Sequence, residues 1–296
     1  MDAEYRLIIV SGLSGSGKSI ALHVLEDLGY YSIDNLPAAL LPSLIDEVTR
    51  PGESSANRIA VGVDARNRPD DLVALPAQIA QLQETGVQVD LLFLQADDNE
   101  LLRRFGETRR RHPLAEAGTE LHSAISRERA VLGPVINAAD LVIDTSQTSV
   151  YELADIIRER VDRRKTRNLS ILLQSFGFKH GIPADADFVF DLRCLPNPYW
   201  QTELRSLNGL DPAVADFLDS EPSFIRMYED ILEFLQKWIP EYVRVNRSYL
   251  TVSLGCTGGQ HRSVRMTEKL ASALHEFHEP VHTRHNELVA HPVNTP

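Results

Sequence analysis

The sequence predicts an α/β fold in two parts, a parallel sheet covered by helices followed by a second α/β domain. Three observations carry this. Strand-like apolar runs alternate with helix-like segments through the first half, the composition breaks after Val161, and the alternation then resumes. At 296 residues the chain is long enough for two domains with a core each. The predicted boundaries are 1–161 for the first domain, 162–168 for a linker and 169–296 for the second.

In the first part "RLIIVSG", "RIAVGVD", "VDLLFLQAD" and "ADLVIDTS" are the candidate strands. Three of them end in Asp or another polar residue, as parallel strands do at an active edge. Between them "KSIALHVLEDLG", "PDDLVALPAQIAQLQETG" and "SVYELADIIRERV" carry apolar residues at helical spacing, and the first is expected to stop at Gly29. "DRRKTRN" is too polar for a core segment and marks the linker. Beyond it "LSILLQSFG", "ADFVFDLR" and "SYLTVSLG" read as strands. "SFIRMYEDILEFLQKWI" reads as a long amphipathic helix, and "HRSVRMTEKLASALHEF" as another.

Composition narrows the class. Hydrophobic content of 43% and charged content of 24% are those of a globular protein. No apolar run approaches the roughly 20 residues of a membrane-spanning helix. The opening "MDAEYRLIIVSG" lacks a basic start and a small-residue cleavage site, so a cytoplasmic location is expected. Two cysteines, Cys194 and Cys256, exclude a disulfide framework and show no zinc spacing. A formal net charge of -12 excludes a general nucleic-acid coat protein, although arginines crowd Arg103 to Arg111 and Arg158 to Arg167.

"GLSGSGKS" fits G-x-x-x-x-G-K-[ST] between a strand and a helix, the pattern of a phosphate loop. Its residues Gly12, Leu13, Ser14, Gly15, Ser16, Gly17, Lys18 and Ser19 are therefore the candidate nucleotide site. The glycines let backbone N–H groups turn inward around phosphate oxygens, and the following helix adds its positive end. Lys18 is expected to reach the terminal phosphates and the Ser19 hydroxyl to ligate Mg2+. The first domain is thus expected to carry a P-loop.

An acid is needed near such a metal, and Asp64 and Asp97 both end strands. Asp64 also begins "DARN", where its carboxylate and the Asn67 amide could read guanine instead; a plain polar turn explains the same residues. The arginines of 103–111 fit either a lid over phosphates or a solvated helix face. Asp34 and Asn35 are further candidates to order a water or a metal.

A second loop, "GCTGGQHRSV", also stands between a strand and a helix. "CTGGQHRS" fits C-x5-R-[ST], the skeleton of cysteine-dependent phosphatases, in which a thiolate attacks phosphorus while amides and an Arg hold the oxygens. Arg262 and the helix start behind His261 can supply anion contacts. Gly255 replaces the usual preceding His, Gln260 replaces a usual Gly, and the sequence identifies no acid donor. Noncatalytic anion binding, a phosphatase and a structural turn all remain open.

"GLSGSGKS", "DARN", "FGFKHGIP", "DLRCLPNPYW" and "GCTGGQHRSV", in this order, closely resemble the RapZ (YvcJ-type) family of bacterial P-loop proteins, from about Arg6 to about His285. The resemblance implies a P-loop kinase-like nucleotide-binding domain with ATPase and GTPase activity. In it Gly12 to Ser19 bind ATP, and Asp64, Ala65, Arg66 and Asn67 are assigned to GTP. It implies a second domain that senses glucosamine-6-phosphate, here through Tyr199, Thr257, Gly258, Gly259, His261, Arg262 and Ser263. It further implies a regulatory adapter that presents a small RNA to endoribonuclease E, and a homo-oligomer. This chain departs in two places: Tyr199 stands where enterobacterial members carry His, and the ending "HTRHNELVAHPVNTP" has a single Arg and no Lys. A small-molecule kinase that holds its acceptor in the second loop is the rival function.

Overall fold

The computed structural model describes residues 5–48, 57–108, 111–115, 120–162, 169–245 and 247–288. The chain divides into two compact units, Met1–Lys165 and Thr166–Pro296. Of the expected linker, 162–168, only the backbone of Asp162 falls among the described residues.

The first unit runs β1 (Arg6–Gly12), α1 (Lys18–Asp27), β2 (Tyr31–Ile33), α2 (Leu41–Val48), β3 (Arg58–Gly62), α3 (Pro69–Glu84) and β4 (Gln88–Gln95). It continues with α4 (Asp98–Thr108), α5 (Leu121–Val131), α6 (Gly133–Asn137), β5 (Leu141–Asp144) and α7 (Val150–Ile156). Its five strands lie in the order β2-β3-β1-β4-β5, all parallel. Both faces are covered, so β1 reads as an unbroken apolar run and every residue of it is buried. From β1 the chain goes first to β2 and β3 on one side and then to β4 and β5 on the other. The crevice at such a reversal, outside the carboxyl end of β1, is where open α/β sheets bind ligands.

Local chemistry sets the ends of these elements. Gly29 takes φ 85° just past α1 and its N–H reaches the Glu26 carbonyl, which ends the helix as expected. Ser149 accepts from the Glu152 N–H at 3.2 Å while the Glu152 carboxylate accepts from the Ser149 N–H at 2.7 Å, a capping box that starts α7. The segment expected as one helix from Ser149 to Val161 widens after Ile156 into a π-type turn spanning Ile157–Asp162. Periodicity over so few residues does not separate the two geometries.

The second unit contains β6 (Ser170–Gly177), β7 (Phe188–Asp191), α8 (Pro212–Ser220), α9 (Pro222–Arg244), β8 (Tyr249–Cys256), α10 (Arg262–Leu274) and β9 (Val281–His285). The strands are again parallel, in the order β7-β8-β6-β9. α9 runs past Pro240, where a stop after Ile239 was expected. Pro240 is exposed, so the carbonyl left without its N–H partner faces water and the break is tolerated. No helix among the described residues is long and apolar enough to cross a membrane.

Register brings the strand ends of this unit together. Gly177 pairs with Cys256, Asp191 with Gly255, and Ser175 with His285. The chain again reverses direction, here about β6, so both units place a glycine-rich loop at their topological switch point.

Candidate functional site

The first loop leaves β1 at Gly12 and enters α1 at Lys18. Gly12 has φ 138°, and a Cβ there would overlap the Leu94 carbonyl of β4. Gly17 caps α1 with φ 104°, and a Cβ would sit 2.7 Å from Leu153 Cδ2. Both positions therefore require glycine on two counts, conformation and space. Lys18 Nζ donates to the carbonyls of Gly12 at 2.8 Å and Leu13 at 3.0 Å, folded back across the loop. Burial lowers the Lys18 pKa, against the opposing pull of the Glu128 and Asp64 carboxylates. Ser19 is exposed beside it, and the buried Ser16 hydroxyl has no partner among the described residues.

Contacts from distant segments hold this loop. Ser14 donates through its N–H at 2.9 Å and its hydroxyl at 2.7 Å to the two oxygens of Glu128, on α5. The Leu114 N–H donates to His112 Nδ1 at 3.1 Å, so the imidazole carries its proton on Nε2 and donates it to Glu128 at 3.1 Å. The Glu128 and His112 side chains are fully buried. Arg104 of α4 donates to the Gly15 carbonyl at 3.0 Å and to Thr145, whose hydroxyl donates to the Ser16 carbonyl at 3.0 Å. Sequence reasoning missed Glu128, His112 and Thr145 because no local motif marks residues that reach a loop from so far along the chain.

Of the two candidate acids, Asp64 follows β3, the direct neighbour of β1, and its carboxylate lies close enough to act on the Lys18 charge. Asp97 instead caps α4, its carboxylate accepting from the Glu100 N–H at 2.8 Å. Burial alone would raise the Asp64 pKa; hydrogen bonds from Arg66 outweigh it and hold the carboxyl below its ordinary range. Arg66 grips both Asp64 oxygens, with Nη2 at 2.6 Å. Asn67 accepts from the Ala38 N–H at 2.6 Å and donates to the Asp64 carbonyl at 3.0 Å. Ala65 is buried. The polar atoms of "DARN" are thus engaged within the protein, and base reading there requires these bonds to open. Asn67→Ala is expected to cost about 1 to 2 kcal/mol of stability by orphaning the Ala38 N–H. Unfolding in urea measures this; unchanged stability with weakened GTP binding would instead assign Asn67 to the base.

The arginines of the expected lid are partly accounted for. Arg103 pairs with Glu100 and Glu107, and Arg104 with Glu100 as well as the loop. Arg109 and Arg110 lie outside the described residues, as do 163–167 of the second basic stretch. Asn35 sits at φ 53° in the turn after β2, and the Asp34 carboxylate lies against Gly62.

The second loop joins Cys256 to Arg262. Arg262 is 3% exposed, and its Nη1 donates to the carbonyls of Leu195 at 2.9 Å and Arg193 at 3.1 Å, with Leu192 at 3.5 Å. "DLRCLPNPYW" therefore serves as a backing that orients the guanidinium. Nη2 has only a 3.4 Å contact to Thr257 Oγ1, and buried Nε has no partner among the described residues. The Nε/Nη2 edge, the one that meets an oxyanion bidentately, is left for a ligand.

Other residues expected at this site fall differently. His261 is buried, its Nε2 lies 3.3 Å from the Leu204 carbonyl, and burial lowers its pKa. Its ring is thus committed to the protein. Tyr199 is half exposed on a short 3-10 turn, Pro198–Trp200, with Arg205 over its ring and Trp200 edge-on. Those contacts are to its own loop. Ser263 Oγ lies 3.2 Å from Cys256 Sγ. Gly258 and Gly259 pack against the backbone of Gly177, and the Lys179 N–H donates to the Thr257 carbonyl at 3.3 Å. Lys179 thereby joins the loop, the Glu287 carboxyl rests against Gly259, and the His180 charge acts on Glu287. Sequence reasoning quoted Lys179 and His180 within "FGFKHGIP" without a role and passed over Glu287.

Fold and first loop together define a P-loop α/β protein with a second glycine-rich strand-to-helix loop in its other unit. The chain matches the family model described as RapZ-like N-terminal domain over residues 5–165 and that described as RapZ C-terminal domain over 169–289, so it belongs to the RapZ family. Similar curated proteins include one named nucleotide-binding protein from Halorhodospira halophila, 52% identical and covering 96% of this chain and 98% of its own. Another of the same name from Marinobacter nauticus is 50% identical, covering 96% and 97%. Among solved structures, shikimate kinase from Bacteroides thetaiotaomicron is similar at 17% identity and a TM-score of 0.35, covering 53% of this chain and 98% of that one.

Proposed function

We propose that this protein is a nucleotide-binding, metabolite-sensing regulatory adapter. Its first unit binds ATP and GTP with Mg2+ and hydrolyses them slowly. Its second unit binds a phosphosugar, glucosamine-6-phosphate. The observation that carries the nucleotide reading is the Lys18 ammonium folded onto the Gly12 and Leu13 carbonyls at the start of α1, where it meets an incoming terminal phosphate. The name nucleotide-binding protein borne by the relatives supports it. Slow turnover is supported by the arginines: among the described residues Arg66, Arg103, Arg104 and Arg129 all hold protein carboxylates, so these four are not free to stabilise developing charge.

The donor set near Lys18 fits Mg2+, a hard cation that takes one or two protein oxygens and completes its shell with water and phosphate. Ser19 and Asp64 would hold it, and bound there it would neutralise charge between the terminal phosphates. The phosphosugar reading rests on the Arg262 edge where Nε has no partner among the described residues and Nη2 has only the 3.4 Å contact to Thr257 Oγ1. For the output of the adapter we propose a small RNA handed to an endoribonuclease by a homo-oligomer, supported by the family. With a single Arg and no Lys in the last fifteen residues, such RNA binding is expected to be weak and salt-sensitive.

Product analysis tests this reading. ATP labelled in its terminal phosphate and incubated with the protein and glucosamine-6-phosphate is expected to give ADP and labelled inorganic phosphate in equal amounts. A doubly phosphorylated sugar formed in step with ADP would make the protein a kinase instead.

A further inference from the structure

The Cys256 thiol is placed for more than packing. It is 2% exposed, accepts the Gly259 N–H at 3.2 Å and lies 3.2 Å from the Ser263 hydroxyl. The third and seventh residues after the sulfur thus both reach back to it, and Arg262 lies between them in sequence. Nη1 of Arg262 is tied behind the loop by carbonyls while Nε is buried and unpartnered among the described residues.

A carboxyl completes the set. Ser175 pairs with His285, so Glu287, two residues on, lies level with Gly177, and Gly177 is the partner of Cys256. The Asn286 N–H donates to the Ser175 carbonyl at 3.1 Å, which holds the chain in that register. The Glu287 carboxyl rests against Gly259, where a Cβ would overlap Oε2, and Oε2 has no partner among the described residues. A carboxyl from beyond β9 thus stands at the loop.

We propose that the second loop hydrolyses phosphate monoesters, with Cys256 as nucleophile, Arg262 as oxyanion ligand and Glu287 as general acid and base. This rests on the reading of the loop as a phosphate site and adds turnover to it. The thiolate attacks phosphorus, an S–P bond forms and the ester P–O bond breaks, and the departing oxygen takes its proton from Glu287. Water then attacks the phosphorus and gives its proton to the Glu287 carboxylate. The S–P bond breaks, and inorganic phosphate and the thiolate are regained. Both transition states place charge on the oxygens facing the Nε/Nη2 edge of Arg262 and the amino terminus of α10.

The electrostatics agree with these roles. Burial would raise the Cys256 pKa, but hydrogen bonds from Ser263 and Gly259 and the Arg262 charge bring it below the ordinary thiol value. Burial raises the Glu287 pKa, against the Gly177 N–H and the charges of His180 and Lys179.

The test uses the full chain with para-nitrophenyl phosphate and with glucosamine-6-phosphate, reading phosphate release beside equilibrium binding. Wild type is expected to release phosphate from both. Cys256→Ser should bind the sugar phosphate as wild type does and release none. Glu287→Gln should slow the sugar ester on the order of a hundredfold and the nitrophenyl ester far less, since a good leaving group needs no proton. Ser263→Ala should move the acid limb of the pH profile upward. Should Cys256→Ser fail to fold, acid quench of the wild type during turnover decides: a phosphoryl group on Cys256 supports the proposal and its absence overturns it. Sugar-phosphate binding without release from either ester overturns turnover and leaves the binding site standing. Loss of both binding and release overturns both, and release that persists in Cys256→Ser overturns the nucleophile.

Discussion

Lys18→Ala is expected to weaken ATP and GTP binding by on the order of a hundredfold or more, about 3 kcal/mol, because charge-assisted contacts to the terminal phosphates are lost. Fold is expected to survive. The ammonium makes its two hydrogen bonds to carbonyls at the loop, while Glu128, Arg104 and Thr145 hold the loop from outside. The wild type should show a matching pH dependence. Burial lowers the Lys18 pKa, so its charge is lost at a lower pH than that of an ordinary lysine, and nucleotide affinity falls as pH rises through that value. Bound phosphate favours the charged form, so binding on the alkaline side should take up protons. Titration calorimetry in buffers of different ionisation enthalpy measures this. An unchanged affinity in Lys18→Ala would remove the nucleotide assignment.

Arg262→Ala is the second large effect, and it should act on stability as well as binding. Nη1 donates to the carbonyls of Leu195 and Arg193, with that of Leu192, which also accepts from the Leu195 N–H, at 3.5 Å, and removing the guanidinium takes this donor from the buried Leu195 carbonyl and its neighbour. A loss of about 3 kcal/mol is expected. Sugar-phosphate binding should vanish with it. Arg262→Lys separates the two roles: it keeps a charge but offers neither the bidentate edge nor the fork that holds the carbonyls. Binding should therefore fail in Arg262→Lys even where urea unfolding shows part of the stability restored. Retained binding in either variant would place the anion elsewhere.

What was legible in the sequence was local. "GLSGSGKS" declares its strand, its turn and its helix within eight residues, and the structure places β1, the loop and α1 as expected. β9 was not legible. "VHTRH" has one apolar residue and no alternation, and it becomes a strand by pairing with β6 and burying Val281. β2 is three residues long, too short for any periodic signal. The site residues divide the same way. Lys18 and Arg262 stand inside motifs, whereas Glu128 and Glu287 reach their loops through tertiary register. The Asn67 amide can donate to guanine O6, but no sequence signal shows that it also donates to the Asp64 carbonyl while its oxygen accepts from the Ala38 N–H.

The central claim is that one chain carries two separate anion sites, one for a nucleotide and one for a phosphorylated sugar. Titration calorimetry of the full chain carrying Cys256→Ser, saturated with ATP and then titrated with glucosamine-6-phosphate, tests it most directly. The account predicts that each chain takes up the sugar phosphate without releasing the nucleotide, and that the reverse order gives the same final stoichiometry. Displacement of one ligand by the other would contradict it.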